Sequence, residues 1–101
     1  MNTPEIHGTW EPAAMASEEG RLDAAQVNAL PESAFAFPRL RKEPMTDRSH
    51  VRNALARFNQ VRDATDADRD LAFANIKKAA AHYNIELGET GWRQLGPIRG
   101  S

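Results

Sequence analysis

The sequence contains no cysteine among its 101 residues. A disulfide framework, a thiolate metal site and a thiol nucleophile are therefore excluded. The sequence also lacks a run of about 18 apolar residues, so we expect no membrane-spanning helix and no membrane partner. Its N-terminus has neither the basic stretch nor the apolar stretch of a secretory signal. We accordingly expect a soluble, cytoplasmic protein.

Aromatic and apolar residues are scarce as well. Aromatic side chains make up 7% of the sequence, and the mean hydropathy is -0.63. So small an apolar supply predicts a single core that covers only part of the chain. We predict a disordered acidic arm over residues 1–29, a small helical domain over 30–96 and a disordered tail over 97–101. In the arm, Trp10 is an isolated apolar residue without a periodic pattern around it.

Charge is distributed unevenly along the chain. The net charge is -5 over residues 1–38, +5 over 39–62 and -1 over 63–101. An acidic arm followed by a basic segment indicates either an anionic partner or an arm that folds back over its basic neighbour.

Two segments carry apolar residues at steps of three and four, which predicts two helices. We expect the first over about residues 47–60 and the second over about 66–83, with a short third helical turn at Thr90 to Leu95 that carries Trp92. Thr65 and Asp68 resemble a capping box before the second helix, and Asn84 suits the left-handed position that ends it.

Residues 30–38 have a different pattern, in which small and aromatic side chains alternate. In an extended chain Phe35 and Phe37 lie on one face, and Pro38 ends the segment. Because no partner strand is evident, we predict an extended aromatic clip that packs on the helices. The expected fold is all-α: a small helical hairpin with a short third turn, this clip and a disordered N-terminal arm.

No catalytic or metal-binding pattern is present. The three histidines, His7, His50 and His82, lack the spacing of metal ligands, and the acidic run that begins at Asp63 lacks the glycine and glutamate of a calcium loop. There is no nucleophile motif and no glycine-rich phosphate loop, and so small a core leaves no room for a ligand pocket of several hundred Å³. We expect neither enzyme activity nor a cofactor.

The first predicted helix carries a row of polar side chains outside its apolar stripe. Arg48 and Arg52 are one turn apart, and Asn53 and Arg57 extend their surface. Such a row can contact phosphates, and Asn53 can reach a base edge. A solvated face that opposes nearby carboxylates is the commoner explanation, and the sequence pI of 6.3 is low for a nucleic-acid binder.

Residues 30–95 resemble a small domain family of unknown function found in bacteria and at the ends of some phage head proteins, including prohead proteases. The resemblance rests on three stretches, Leu30 to Phe35, His50 to Ala54 and Lys78 to Tyr83. The arrangement is also loosely similar to the ChaB-like family of cation-transport regulators, another small helical fold. The resemblance implies no activity, but a domain appended to unrelated proteins is usually an interaction module.

We therefore predict a helical module, monomeric or weakly homodimeric, that binds a protein partner. The candidate binding residues are His50, Arg52, Asn53, Arg57 and Arg48. The alternative is a nucleic-acid-binding domain that uses the same arginines and is regulated by the acidic arm.

Overall fold

The computed structural model describes residues 6–13 and 23–88 of the chain. Within these ranges it has three α-helices and one two-stranded antiparallel sheet. In chain order the elements are α1 (Ala24–Ala29), β1 (Phe35–Phe37), β2 (Lys42–Pro44), α2 (Arg48–Arg57) and α3 (Asp66–His82), with 3-10 turns at Glu32–Ala34 and Phe58–Gln60. The predicted third helical turn with Trp92 and the tail from residue 97 lie outside the described residues.

The expectation of an all-α fold is wrong, because the aromatic clip is one strand of a hairpin. β1 pairs with β2 in a register that places Phe35 opposite Pro44 and Phe37 opposite Lys42. The sequence Lys-Glu-Pro of β2 has little intrinsic preference for a strand, and proline is tolerated only at a sheet edge. β2 forms because it borders a fully buried strand, so the fold is mixed α/β.

The two long helices are confirmed, and local capping explains where they begin. The side chain of Asp47 accepts a hydrogen bond from the backbone N–H of His50 at the start of α2. Thr65 and Asp68 form the reciprocal capping box at the start of α3. These interactions link residues three apart in the chain, which is why the sequence predicts them.

The end of α3 is also as predicted. Asn84 adopts a left-handed conformation with φ of 60°. The N–H of Ile85 donates to the carbonyl of Ala80 at 2.8 Å, and the N–H of Asn84 donates to that of Ala81 at 3.3 Å. This pair of hydrogen bonds is the Schellman arrangement, and Ile85 packs against the core beyond it.

Aromatic side chains join the elements into one core. The ring centroid of Phe58 lies 5.4 Å from that of Phe37 on β1 and 6.2 Å from that of Phe73 on α3. A smaller cluster of Leu30, Ala34 and Phe35 packs beside this core. Of the two clip phenylalanines, Phe35 belongs to the smaller cluster and Phe37 to the main core. β1 is buried along its whole length.

Part of the predicted disordered arm is packed against the helical core. Trp10 is only 1% exposed and belongs to the main cluster. The helix α1 also lies within the predicted arm. The sequence pattern misses Trp10 because its partners are more than thirty residues away along the chain. Periodicity detects faces within an element, whereas a single residue inserted from a distant segment leaves no periodic trace.

None of the helices in the described ranges combines the length and the apolarity that a membrane span requires.

Candidate interaction surfaces

The first turn of α2 holds two of the predicted site residues in structural contacts. The Oδ1 atom of Asp47 accepts the backbone N–H of His50 at 2.9 Å and lies 2.8 Å from Nδ1 of the same residue. Burial by itself raises the pKa of Asp47, but the hydrogen bonds from His50 and Ser49 outweigh it, so this pKa lies below its ordinary value. His50 is therefore part of the N-cap of α2.

Arg48, the first residue of α2, contacts the C-terminal end of α3. Its Nη1 donates to the carbonyl oxygen of Tyr83 at 3.1 Å and so satisfies the C-terminal end of α3. Burial, and then the negative charge of Asp47, raise the pKa of Tyr83. Arg48 thus fixes α2 against α3.

Two further arginines of the basic segment also bind carbonyl oxygens. Arg41 donates to the carbonyl of Leu30 at 2.9 Å, and its guanidinium lies 4.6 Å from the ring centroid of Phe35. Arg39 donates through Nε to Asp68 at 3.0 Å and through Nη2 to the carbonyl of Asp63 at 3.1 Å. These contacts use part of the positive charge for the fold itself.

Three of the predicted site residues point away from the core. Arg52, Asn53 and Arg57 are exposed on α2. Their side chains make no hydrogen bond and no ion pair within 4 Å with any residue in the described ranges. They remain available to a ligand, and the prediction that they bind one stays a prediction.

Arg57 borders an open cavity of about 560 Å³ between the hairpin and the end of α2. Lys42 from β2 and Arg62 from the turn after α2 supply two more cations, and Gln60 adds an amide. The complete lining is Leu40, Lys42, Glu43, Arg57, Gln60, Val61, Arg62 and Asp63. This cavity forms between elements at the surface, so the expectation that the core leaves no room for a ligand pocket stays a prediction.

Glu43 lies half-buried at this cavity. Its burial raises the pKa of the carboxyl group, and the nearby charges of Arg57, Lys42 and His50 oppose that rise. Glu43 and Asp63, both lining residues, have positive φ values of 60° and 65°. For residues other than glycine this conformation costs about 1–2 kcal/mol, and such strained positions cluster at functional sites.

The structure therefore separates the five predicted site residues into three groups. Arg48 and His50 stabilise helix ends, while Arg57 joins Lys42 and Arg62 at the cavity. Arg52 and Asn53 lie on the exposed face of α2 and do not line the cavity. Lys42 was not predicted as a site residue because only the folding of the hairpin brings it beside α2, and Arg62 was not predicted because it lies beyond the predicted end of that helix.

A second arrangement that the sequence analysis missed surrounds Asn75 on α3. This side chain is fully buried, and its Oδ1 accepts the backbone N–H of Thr9 at 2.6 Å and that of Trp10 at 2.9 Å. Its Nδ2 donates to the carbonyl of Ala36 at 2.9 Å. The available signal was an asparagine that shares the apolar face of α3, three residues after Ala72 and four before Ala79.

Within residues 6–13 and 23–88, no three side chains of the metal-ligating types lie close enough together to hold a metal ion.

A family model described as a family of unknown function, DUF6582, matches residues 16–90. This range contains all five of the predicted site residues, the cavity and Asn75, but it leaves out Trp10. No curated protein and no solved structure matches the chain.

Proposed function

The chain belongs to the family of unknown function DUF6582, and we propose that it is a small, non-catalytic interaction module that binds an acidic segment of a protein partner. The binding surface is the cavity with Lys42, Arg57 and Arg62, extended along α2 by Arg52 and Asn53. Arg48 and His50 hold this surface in place through their helix-end contacts. We refer to the three cavity cations and Arg52 as the basic surface.

One observation carries this proposal. Lys42, Arg57 and Arg62 surround an open cavity, and no hydrogen bond within the described ranges occupies their side chains. In the same basic segment, Arg39, Arg41 and Arg48 bind carbonyl oxygens instead. Guanidinium groups bind carboxylates through paired N–H donors. An acidic peptide therefore suits the guanidinium groups of Arg57 and Arg62.

The overall charge favours a protein ligand over nucleic acid. The chain has a net charge of -1 and a sequence pI of 6.3. Non-specific affinity for DNA depends on the number of phosphates neutralised, and a nucleic-acid-binding domain is usually basic overall. Nucleic-acid binding remains the alternative prediction.

The test is a titration of the isotope-labelled full chain with a short peptide of Asp and Glu, and separately with a DNA duplex. We expect the peptide to shift the amide signals around Arg57 and Arg62. The double variant Arg57→Gln with Arg62→Gln should weaken binding at least about tenfold, or about 1.4 kcal/mol. Lys77→Gln, which removes an exposed positive charge from α3, is the matched control and should leave the affinity unchanged.

The probe that binds distinguishes the acidic-peptide proposal from the nucleic-acid alternative. Binding to the duplex with a steep dependence on salt, and none to the peptide, would establish the nucleic-acid alternative. Binding to neither probe, or equal effects of the control and double variants, would overturn the proposal.

The remaining predictions fit this module without being required by it. They are the cytoplasmic location, the monomeric or weakly dimeric state, and the likeness to domains at the ends of phage head proteins and to ChaB-like proteins. The proposal that the chain is an interaction module rests on the basic surface alone.

A further inference from the structure

A groove on α3 is filled by the chain's own segment Gly8, Thr9 and Trp10. The floor of the groove is formed by Ala74 and Asn75, and the backbone of the hairpin closes its side. The segment enters from a part of the chain that lies more than sixty residues away in sequence. Its backbone and its tryptophan side chain make contacts of the kind by which proteins bind peptides.

A single side-chain amide, that of Asn75, binds the backbone of the segment. Asn75 accepts two successive N–H groups, those of Thr9 and Trp10, on one oxygen atom. Its nitrogen is held by the carbonyl of Ala36 at 2.9 Å, which fixes the orientation of the amide. Because Asn75 is 0% exposed, its oxygen requires these donors, since an unpaired buried polar atom costs about 1–3 kcal/mol.

The Trp10 side chain is one of the largest fully buried side chains. Its Nε1 donates to the carbonyl of Met45 at 3.1 Å, and its ring makes edge contacts with His82 and Tyr83 at centroid distances of 5.6 and 5.8 Å. A buried hydrogen-bonded indole among aromatic edges is a typical anchor of a peptide or protein ligand.

The position two residues before Trp10 accepts only glycine. A Cβ atom on Gly8 would lie 2.9 Å from the carbonyl oxygen of Ala74 and 3.0 Å from Oδ1 of Asn75. The first of these atoms is backbone within a helix and cannot move away. The carbonyl of Gly8 in turn accepts a hydrogen bond from Nζ of Lys78 at 3.4 Å. Thr9, in contrast, is exposed.

The groove and the segment that fills it differ in whether the family model matches them. Every residue that forms the groove lies inside the matched range 16–90, whereas residues 8–10 lie before it. The groove thus lies within the range that the family model matches, and the segment that fills it lies outside that range.

We propose that the α3 groove is a peptide-binding site for an extended Gly-x-Trp segment, and that residues 8–10 are a tethered ligand which the same motif on another chain can replace. Asn75 recognises the backbone, the pocket beneath Met45 recognises the indole, and the close approach at Ala74 requires the glycine. The side chain of the middle residue, Thr9, is exposed and contributes only a long 3.5 Å hydrogen bond from its hydroxyl to Oδ1 of Asn75.

The test keeps all residues of the chain. A cleavage sequence for a specific protease is placed between residues 16 and 20, and the folded protein is cut there. Only non-covalent contacts then retain the N-terminal fragment: those of the groove, the hydrogen bond from the N–H of Glu11 to the carbonyl of Ser33, and the packing of Ala13. A labelled synthetic peptide of residues 6–13 is then added. We expect it to replace the fragment while the amide signals of α2 and α3 stay dispersed.

Two variant peptides define the specificity. The Gly8→Ala peptide should bind at least about tenfold more weakly, because of the contact with Ala74, whereas the Thr9→Ala peptide should bind like the parent. Equal binding of the Gly8→Ala peptide would overturn the proposal. So would replacement of the fragment that occurs only when α2 and α3 also unfold, since the segment would then be an integral part of the core.

Hydrogen exchange on the uncut chain provides an independent measurement. If the segment undocks by itself, the indole N–H of Trp10 has a protection factor at least about tenfold lower than the amide of Ile76. Gly8→Ala should lower it further by about tenfold or more. Gly88→Ala is the matched control, because no atom lies within 4 Å of its added Cβ. Equal protection of Trp10 and Ile76 would contradict a separable ligand.

Discussion

At the scale of single residues, arginines of the same segment have different roles. Arg39, Arg41 and Arg48 donate to carbonyl oxygens of other elements, whereas Arg52 and Arg57 extend into solvent. A guanidinium group suits both roles, since it carries five donors and stays charged when partly buried. Which role an arginine takes depends on whether a helix end or a turn lies within its reach.

Asn75 is the residue on which the packing of the N-terminal segment depends. Asn75→Ala leaves the N–H groups of Thr9 and Trp10 and the carbonyl of Ala36 without partners. We expect the free energy of unfolding to fall by about 2 kcal/mol, measured by urea denaturation. Asn53→Ala removes an exposed amide from α2 and should change it by less than about 0.5 kcal/mol. A similar loss in both variants would show that Asn75 does not hold the segment.

Asp68 makes the stability depend on pH. The hydrogen bond from Arg39, and then that from the backbone N–H of Thr65, hold the pKa of this carboxyl group well below its ordinary value. Below about pH 4 the unfolded chain therefore takes up a proton that the folded chain does not. Stability is fully present above that pH and falls as the pH decreases further.

The corresponding measurement is urea denaturation between pH 5 and about pH 2.5. Asp68→Asn should flatten the loss of stability over this range, because the group no longer titrates. Glu32→Gln, which alters an exposed carboxylate, should retain the parent's slope. An unchanged slope in Asp68→Asn would exclude the contact with Arg39 as its source.

At the scale of elements, capping determines where the helices begin. Asp47 is the N-cap of α2. Its carboxylate accepts hydrogen bonds from the backbone N–H of His50 and the hydroxyl of Ser49, and it contacts the ring of His50. Such reciprocal local contacts require only a few neighbouring residues. Both long helices are therefore found close to the residues at which their sequences predict them.

The cap of α2 can be tested by two substitutions at one position. Asp47→Ala should lower the free energy of unfolding by about 1 kcal/mol, because the N–H of His50 loses its acceptor. Asp47→Asn retains an acceptor and should recover most of that loss in thermal or urea unfolding. Equal losses would show that the ion pair with His50, rather than the cap, stabilises the helix.

The hairpin is the element that the sequence pattern misses. β1 is recognisable from Phe35 and Phe37, but β2 contains Lys42, Glu43 and Pro44, none of which favours a strand. The pairing depends on burial of β1 against α3, which leaves its edge for the next segment to cover. This pairing also brings Lys42 to the cavity and so completes the basic surface.

At the scale of the whole molecule, Phe58 links the parts into one core. Its ring contacts Phe37 on the hairpin and Phe73 on α3, and it is 0% exposed. We expect Phe58→Ala to destabilise the protein by about 3–5 kcal/mol, a large share of a total stability of about 5–15 kcal/mol. The measurement is urea denaturation followed by circular dichroism.

The control for this variant is Ile6→Ala, which truncates a side chain that is 49% exposed. It should change the free energy of unfolding by less than about 0.5 kcal/mol. A small loss in Phe58→Ala would mean that the hairpin and the helices fold as separate units.

Local interactions by themselves determine α2, α3 and their ends, because a cap or an apolar stripe involves residues within one or two turns. The same locality made Arg52, Asn53 and Arg57 recognisable as an exposed polar face. The tertiary structure alone decides the burial of Trp10, the strand at residues 42–44 and the diversion of Arg48 to Tyr83. Each of these depends on contacts between residues that are distant in sequence, and such contacts leave no periodic pattern in the chain.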